Sequence, residues 1–484
     1  MKTSRHNVRG MASGRRSLLW LLAAVGLPAA VAIPGRADAP DVGEELRELR
    51  RQIQALRQEV RILQRQREID QEQAVEKAGQ QPKVSVGAPN LSFRSPDSKY
   101  DLKIRGWVQA DSRWFLNAVN TTNGAATPRG DTFLIRRARL VVEGTFLEDF
   151  TYFFQPEFGG ANATLLDASV NYALRPEFQI KVGRFKSPLG LEFLQSPLQS
   201  MGMEWSSVTG LLPLRDNGVT LHGDLLDARL SYEVGLFNGG PDGANAGATD
   251  IDGTKDVVAR VFAQPFREGN AAWLQGLGFG MAGSWGRHEG VAARPGALLS
   301  GGSQSIYQVR TDNAVTATAE PDGAQWRWVP QIYHYQGPLG ILAEYVVNSS
   351  EYRGGFGHRA DQHVRLENTA WHLDVGYVLT GEDATYRGVR PRHDFSLSGG
   401  GWGAVQLFAR YSELHLDPKA FPTIANPAYS VSDATEYSAG VNWYLNPNVR
   451  VNLHYALTRF NAGDFNGKDR PSEHAVLTRV QISF

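Results

Sequence analysis

Basic side chains recur on one parity of short alternating segments: Lys103, Arg105, Arg113, Arg137, Arg139, Lys181, Arg229, Arg260, Arg410, Arg450 and Arg479. Arginine in such places points to oxyanion chemistry. Its planar fork of donors meets a carboxylate or phosphate bidentately, and it stays charged at any working pH. The same parity holds Asp111, Glu143, Asp224, Glu233, Glu344 and Asp374. Either the basic groups form a wall that gathers small anions, or the interior is neutral and its arginines are paired across strands. Covalent chemistry has less support, for the sequence has no H-E-x-x-H, no G-x-S-x-G and no P-loop. Gly283-Ser284-Trp285-Gly286 is half of a nucleophile elbow, but it sits in an alternating strand. His358 and His363 fall in a predicted loop, where solvated side chains are the simpler reading than metal ligands. No catalytic residue, metal site or cofactor is expected. The enzymatic alternative is a barrel hydrolase whose triad assembles from distant strands.

The elements that position these side chains are strands. Leu102, Ile104, Val108 and Ala110 interleave with Lys103, Arg105, Gln109 and Asp111; Val451, Leu453, Tyr455 and Leu457 interleave with Asn452, His454 and Thr458. Period two with one apolar and one polar face suits a strand between lipid and water. It predicts Leu102, Val142, Leu221, Val441 and Leu453 facing lipid, and Lys103, Arg139, Asn442 and Asn452 facing the lumen. Past the N-terminus no stretch approaches the ~20 apolar residues of a spanning helix. Lipid offers no partner to an unpaired backbone group, so a membrane form must be a closed barrel. Short turns such as Leu147-Glu148-Asp149 and Arg175-Pro176 alternate with long polar loops, for example 119–130, 238–255 and 289–325. Sixteen strands are predicted, starting near Leu102, Phe133, Thr151, Leu165, Phe178, Val219, Arg229 and Val257, then Leu277, Trp326, Leu339, Val364, Val405, Thr435, Val449 and Val476. Fourteen and eighteen are the neighbouring even counts. The fold class is thus an all-β transmembrane barrel of about sixteen antiparallel strands, wide enough for an aqueous lumen, with a short N-terminal coiled coil.

Three segments precede the barrel, which is assigned to 99–484. Residues 1–39 read as an export signal: Lys2, Arg5, Arg9, Arg15 and Arg16 precede the apolar run Leu18 to Val31, and small residues follow at Ala30 and Ala32 or at Ala37 and Ala39. Residues 40–72 read as a coiled coil, with Leu46, Ile53 and Val60 at a and Leu49, Leu56 and Leu63 at d. A lone amphipathic helix on another surface is the alternative. Residues 73–98 read as a polar, proline-broken linker. The chain has no cysteine, which excludes disulfides and thiolate sites, and its 50 basic and 50 acidic residues give nucleic acid no bulk attraction.

Two further features bear on function. The stretch Ser187 to Asn217 carries Leu189, Leu191, Phe193, Leu194, Met201, Met203, Trp205, Leu211 and Leu212, too apolar for an exposed loop. It is expected to fold inward and constrict the lumen, with a lid or subunit contact as the alternative, and it offers Arg215. Phe484 closes the last alternating strand, as a signal for the barrel-assembly machinery does.

Arg136-Arg137-Ala138-Arg139-Leu140, Gly183-Arg184-Phe185-Lys186-Ser187-Pro188, Leu379-Thr380-Gly381-Glu382 and Asn442-Trp443-Tyr444-Leu445-Asn446-Pro447 resemble the phosphate-selective porin O/P family over about residues 100–484. The resemblance implies a sixteen-stranded, homotrimeric outer-membrane channel of a Gram-negative bacterium that passes phosphate or related small anions along basic lumen residues. The corresponding candidates are Lys103, Arg105, Arg113, Arg137, Arg139, Lys181, Arg215 and Arg479. One departure is charge: from Lys99 onward 34 basic residues face 39 acidic ones. That leaves open a general or oligosaccharide-type porin without phosphate selectivity.

Overall fold

Alternation becomes pairing throughout the second part of the chain. The computed structural model describes residues 42–484 except 88–89, 117–118, 121–126, 129, 161, 311–317, 356–361 and 465–466. The export signal expected over 1–39 lies outside the described residues. The barrel strands of the first half are β1 (Asp101–Leu116), β2 (Thr132–Phe146), β3 (Phe150–Glu157), β4 (Thr164–Arg175), β5 (Phe178–Lys186), β6 (Arg215–Leu225), β7 (Leu230–Phe237) and β8 (Asp256–Ala263). Those of the second half are β9 (Leu277–Glu289), β10 (Ala319–Gln336), β11 (Leu339–Gly354), β12 (His363–Val378), β13 (Ala404–His415), β14 (Val431–Asn446), β15 (Val449–Ala462) and β16 (Glu473–Ser483). Each pairs antiparallel with its neighbour, and β16 closes on β1 with Arg479 opposite Asp111. The sixteen expected strands are the sixteen found.

The pleat sorts side chains as the parity requires. Val108, Ile135, Val182, Val257, Phe279, Trp328, Leu407, Leu453 and Ile482 remain exposed on the outer face, while Gln109, Arg137, Arg139, Asn442 and Asn452 are buried inside. One rim has tight turns, where Leu147 and Glu148 take left-handed backbone (φ 53° and 67°) to reverse the chain. The other rim carries longer connections. The termini of β1 and β16 lie at the short-turn rim.

The interior is not an open tube. From the long-loop rim the segment 187–214 folds inward, with a short helix α2 (Leu191–Leu194) and a 3₁₀ turn (Ser207–Leu211). Leu189, Leu191, Phe193, Met201, Met203, Val208, Leu211 and Leu212 are buried. From the short-turn rim a second segment, 379–403, also enters. Its tip is a small hairpin pairing Ala384 with Val389, and Tyr386 stacks on Tyr333 with centroids 5.3 Å apart. The two segments meet where the Tyr386 hydroxyl donates to the Leu191 carbonyl at 2.6 Å and Gln195 Nε2 donates to the Tyr386 carbonyl at 2.7 Å.

Ahead of the barrel, residues read as linker hold more structure than expected. The N-terminal helix α1 runs from Val42 to Gln80, beyond residue 72, and leaves Leu46, Leu49, Ile53, Leu56, Val60 and Leu63 exposed. Lys83–Gly87 and Asn90–Arg94 then form a hairpin whose second strand pairs with β1, Leu91 opposite Ile104 through Arg94 opposite Asp101. β16 covers the edge of β1 only as far as Gly106, whose N–H donates to the Phe484 carbonyl at 2.8 Å. The hairpin takes up that edge from Ile104, so its backbone groups stay paired.

Candidate functional site

Segment 187–214 borders two cavities, the lower of which is also bordered by 379–403. The upper one, about 480 Å³, is lined by Arg136, Arg137, Arg139 and Arg215, with Glu157 and Glu204 as carboxylates. The lower one, about 410 Å³, lies by the short-turn rim and is lined by Arg105, Arg387, Arg390 and Arg450, with no acidic side chain among its lining residues. Trp107, 2% exposed, lines the lower one and stands beneath an arginine of each: Arg139 is 5.8 Å and Arg105 6.0 Å from its ring centre.

The density of arginine in the upper cavity comes from a break in the β2 ladder. Gln109 pairs with Arg137 but the next residue, Ala110, pairs with Ile135, so Arg136 is an extra residue in a β-bulge. Strict alternation sends Arg136 outward, whereas the bulge turns it inward beside Arg137. It grips Glu204, at the tip of segment 187–214, through two parallel bonds of 2.9 Å from Nε and Nη2. Arg113 Nη2 donates to the same carboxylate at 3.0 Å and Arg479 Nη2 at 2.8 Å, while Arg137 Nη2 lies 4.0 Å away and its guanidinium stands over Trp205 at 5.0 Å. Burial opposes ionisation of Glu204, but Arg136, Arg479 and Arg137 together hold its carboxyl well below the usual carboxylate range. Asp111 takes two bonds from Arg479, at 2.7 and 2.8 Å, and Glu157 takes Arg139 Nε at 2.6 Å. Arg113 Nε, Arg137 Nε and Arg139 Nη1 are buried without a hydrogen-bond partner among the described residues. The cage therefore has guanidinium donors to spare.

Elsewhere, charged groups position the inward segment. Glu344 on β11 accepts the N–H of Leu191 at 2.6 Å and of Glu192 at 2.5 Å, and so caps α2. Arg410 on β13 pairs with Glu192 and, through Nε at 2.7 Å, with Asp374; His372 Nδ1 lies 3.1 Å from Asp374. Asn442 Nδ2 donates to the Met201 carbonyl at 3.0 Å, Arg450 Nη1 to Ser200 at 3.1 Å and Arg479 Nη1 to Met203 at 2.6 Å.

The candidates thus separate into groups rather than one wall. Arg137, Arg139 and Arg215 line the upper cavity and Arg105 the lower. Arg113 and Arg479 are buried behind Glu204 and reach it directly. Arg215 pairs with Asp167 at 2.9 Å, and Arg105 with Glu143 at 3.0 Å. Lys103 lies 3.4 Å from Asp101, and Lys181 lies 3.0 Å from Glu233 across β6; neither lines either cavity. Sequence reasoning passed over Arg136, hidden by the bulge, and Arg387 and Arg390, which lie outside the alternating runs.

The fold resembles that of the outer-membrane channel DcaP of Acinetobacter baumannii, at a TM-score of 0.50 and 11% identity over 81% of this chain and 99% of that one. Porin O of Pseudomonas aeruginosa is 23% identical over 420 residues, 81% of this chain and 91% of the relative. The family described as phosphate-selective porin O and P matches residues 103–484. That match spans the sixteen-stranded barrel, and the chain belongs to the phosphate-selective porin O and P family of outer-membrane channels.

Proposed function

We propose that this porin is a passive diffusion channel with a preference for small anions, and not an enzyme. The observation that carries the reading is the charge of the side chains lining the two cavities: four arginines against two carboxylates in the upper, and four arginines with no acidic side chain in the lower. Charge on the wall at the narrow part of a pore decides which ions enter. The net acidity of the barrel sequence does not bear directly on that wall, since many carboxylates sit in loops or pair with segment 187–214. Phosphate and related oxyanions suit the guanidinium forks. The oligosaccharide alternative has less support, because Phe262, Tyr333, Tyr335 and Tyr386 pack on one another and line neither cavity, while Trp205, Trp107 and Tyr444, which do line them, lie under the guanidinium groups of Arg137, Arg105 and Arg450. Reversal potential across a bilayer in a potassium chloride gradient tests the reading. An anion-side potential is expected; a cation-side potential in the unmodified protein would overturn it.

The same proposal extends to the setting of the channel. The apolar outer face contacts outer-membrane lipid, Phe484 addresses the barrel-assembly machinery, and the working unit is a homotrimer. Helix α1 forms a periplasmic coiled coil with other copies of the chain, burying the exposed Leu46, Leu49, Ile53, Leu56, Val60 and Leu63. Its flanking positions hold Glu45 and Glu59 on one side of the seam and Arg50 and Arg57 on the other. That arrangement favours parallel helices, as copies inserted in one direction require. Replacing Ile53 and Leu56 with Asp should abolish cross-linking between helices while the barrel still assembles. Loss of the folded barrel would show instead that the helix belongs to its core.

A further inference from the structure

We infer that Glu204 is a tethered stand-in for the solute: its carboxylate occupies the place an incoming small oxyanion takes in the arginine cage, and it sets how tightly that oxyanion is held. The inference rests on the anion-channel reading and deepens it.

The geometry is that of a bound ligand. Glu204 accepts the full fork of Arg136 and single bonds from Arg113 and Arg479. One carboxylate thus has three guanidinium donors and a fourth, Arg137, 4.0 Å away. A loop needs far less to be held, and this loop has other anchors. Arg410 Nη1 donates to the Glu204 carbonyl at 2.8 Å, Arg479 Nη1 to Met203, and Glu344 caps α2 from another strand. The side chain of Glu204 can therefore leave the cage without releasing segment 187–214. Glu204 also lines the upper cavity, so a solute reaching the cage meets this carboxylate. The partnerless Arg113 Nε, Arg137 Nε and Arg139 Nη1 leave donors for a further oxygen. A planar, two-oxygen face fits the Arg136 fork, whether it belongs to a carboxylate or a phosphate. Conduction requires binding strong enough to admit the ion and weak enough to release it. A competing carboxylate on the protein lowers the net charge of the cage and supplies an exchange partner at each step.

Planar-bilayer recording of the full-length protein, with inorganic phosphate added against chloride current, tests this. In Glu204→Gln the volume is kept and the charge lost, so phosphate should block at about tenfold lower concentration or less, as expected for removing one like charge from a confined site. Glu204→Asp should return the block toward that of the parent. An unchanged block in Glu204→Gln, or a larger and unselective current, would overturn the inference, the latter because it would make Glu204 a loop anchor. Where Glu204→Gln fails to assemble, Arg136→Gln carries the test: weaker phosphate block supports the cage, and unaltered block overturns it. The parent's reversal potential separates the two levels. A cation-side value overturns the channel reading and this inference together, whereas an anion-side value with unaltered block overturns this inference alone.

Discussion

The wall built by β16, β1 and β2 and the wall built by β11, β12 and β13 bury similar kinds of residue to different ends. On the second, Glu344, His372, Asp374 and Arg410 satisfy one another and the backbone of segment 187–214. On the first, Arg136, Arg137 and Arg139 border open volume, and donors on Arg137 and Arg139 have no partner among the described residues. The second wall only fixes the constriction, whereas the first also holds segment 187–214 through Arg479 and Arg136 and meets what passes through the pore. Inward direction alone therefore says little about function; what counts is whether the charge is already matched.

The strongest way to break that contrast is to remove the unmatched charge. Arg136, Arg137 and Arg139 changed together to Ser should shift the reversal potential to the cation side at low salt. The shift should shrink near molar salt, where screening acts over about 3 Å. No shift at low salt would mean that this wall does not govern selectivity. A smaller effect is expected from the positioning wall. Glu344→Ala leaves two amide N–H groups of α2 and the adjoining charged network without their carboxylate, at a cost of about 3–5 kcal/mol by analogy with broken buried pairs. Heat-modifiability on gels should show a less stable barrel, and single-channel conductance should rise as the inward segment loosens. Unchanged conductance would assign the constriction to other contacts. The smallest effect concerns pH. Glu204 has a depressed carboxyl, so its ion pairs contribute fully above the usual carboxylate range and are lost only as pH falls through the lower native value. Selectivity should accordingly be flat from neutral pH to about pH 5, still above the ordinary glutamate range. A change within that window would place a group that titrates above the ordinary glutamate range, a histidine or a carboxylate raised by burial, in control.

Much of the fold was readable because a two-sided environment forces period two, and every predicted start, from Leu102 to Val476, falls in or beside its strand. The inward course of segment 187–214 was readable too, since Leu189, Phe193, Met201 and Leu212 could not remain in water. Three things were not. The hairpin at 83–94 is short and lies between polar residues, and only the free edge of β1 gives it a partner. The inward turn of 379–403 depends on Tyr386 meeting Tyr333, a tertiary contact with no local pattern. Arg136 was passed over because parity cannot be carried across a bulge. The site was thus legible as a class of residue and only partly as a list.

The bulge has a consequence for the length of the chain. β2 carries one residue more than its ladder with β1 uses, and that residue is Arg136. Deleting a residue from a membrane strand ordinarily flips every side chain beyond it to the opposite face. Here the deletion of Arg136 would instead restore unbroken alternation, with Arg137 inward and Ile135 still toward the outside. The barrel should tolerate this one-residue deletion, assembling and shifting on heating like the parent, while a deletion of Leu140 in the same strand should not. At this position, then, chain length can change without disturbing the barrel, and the number of charges around Glu204 can be altered by a whole codon.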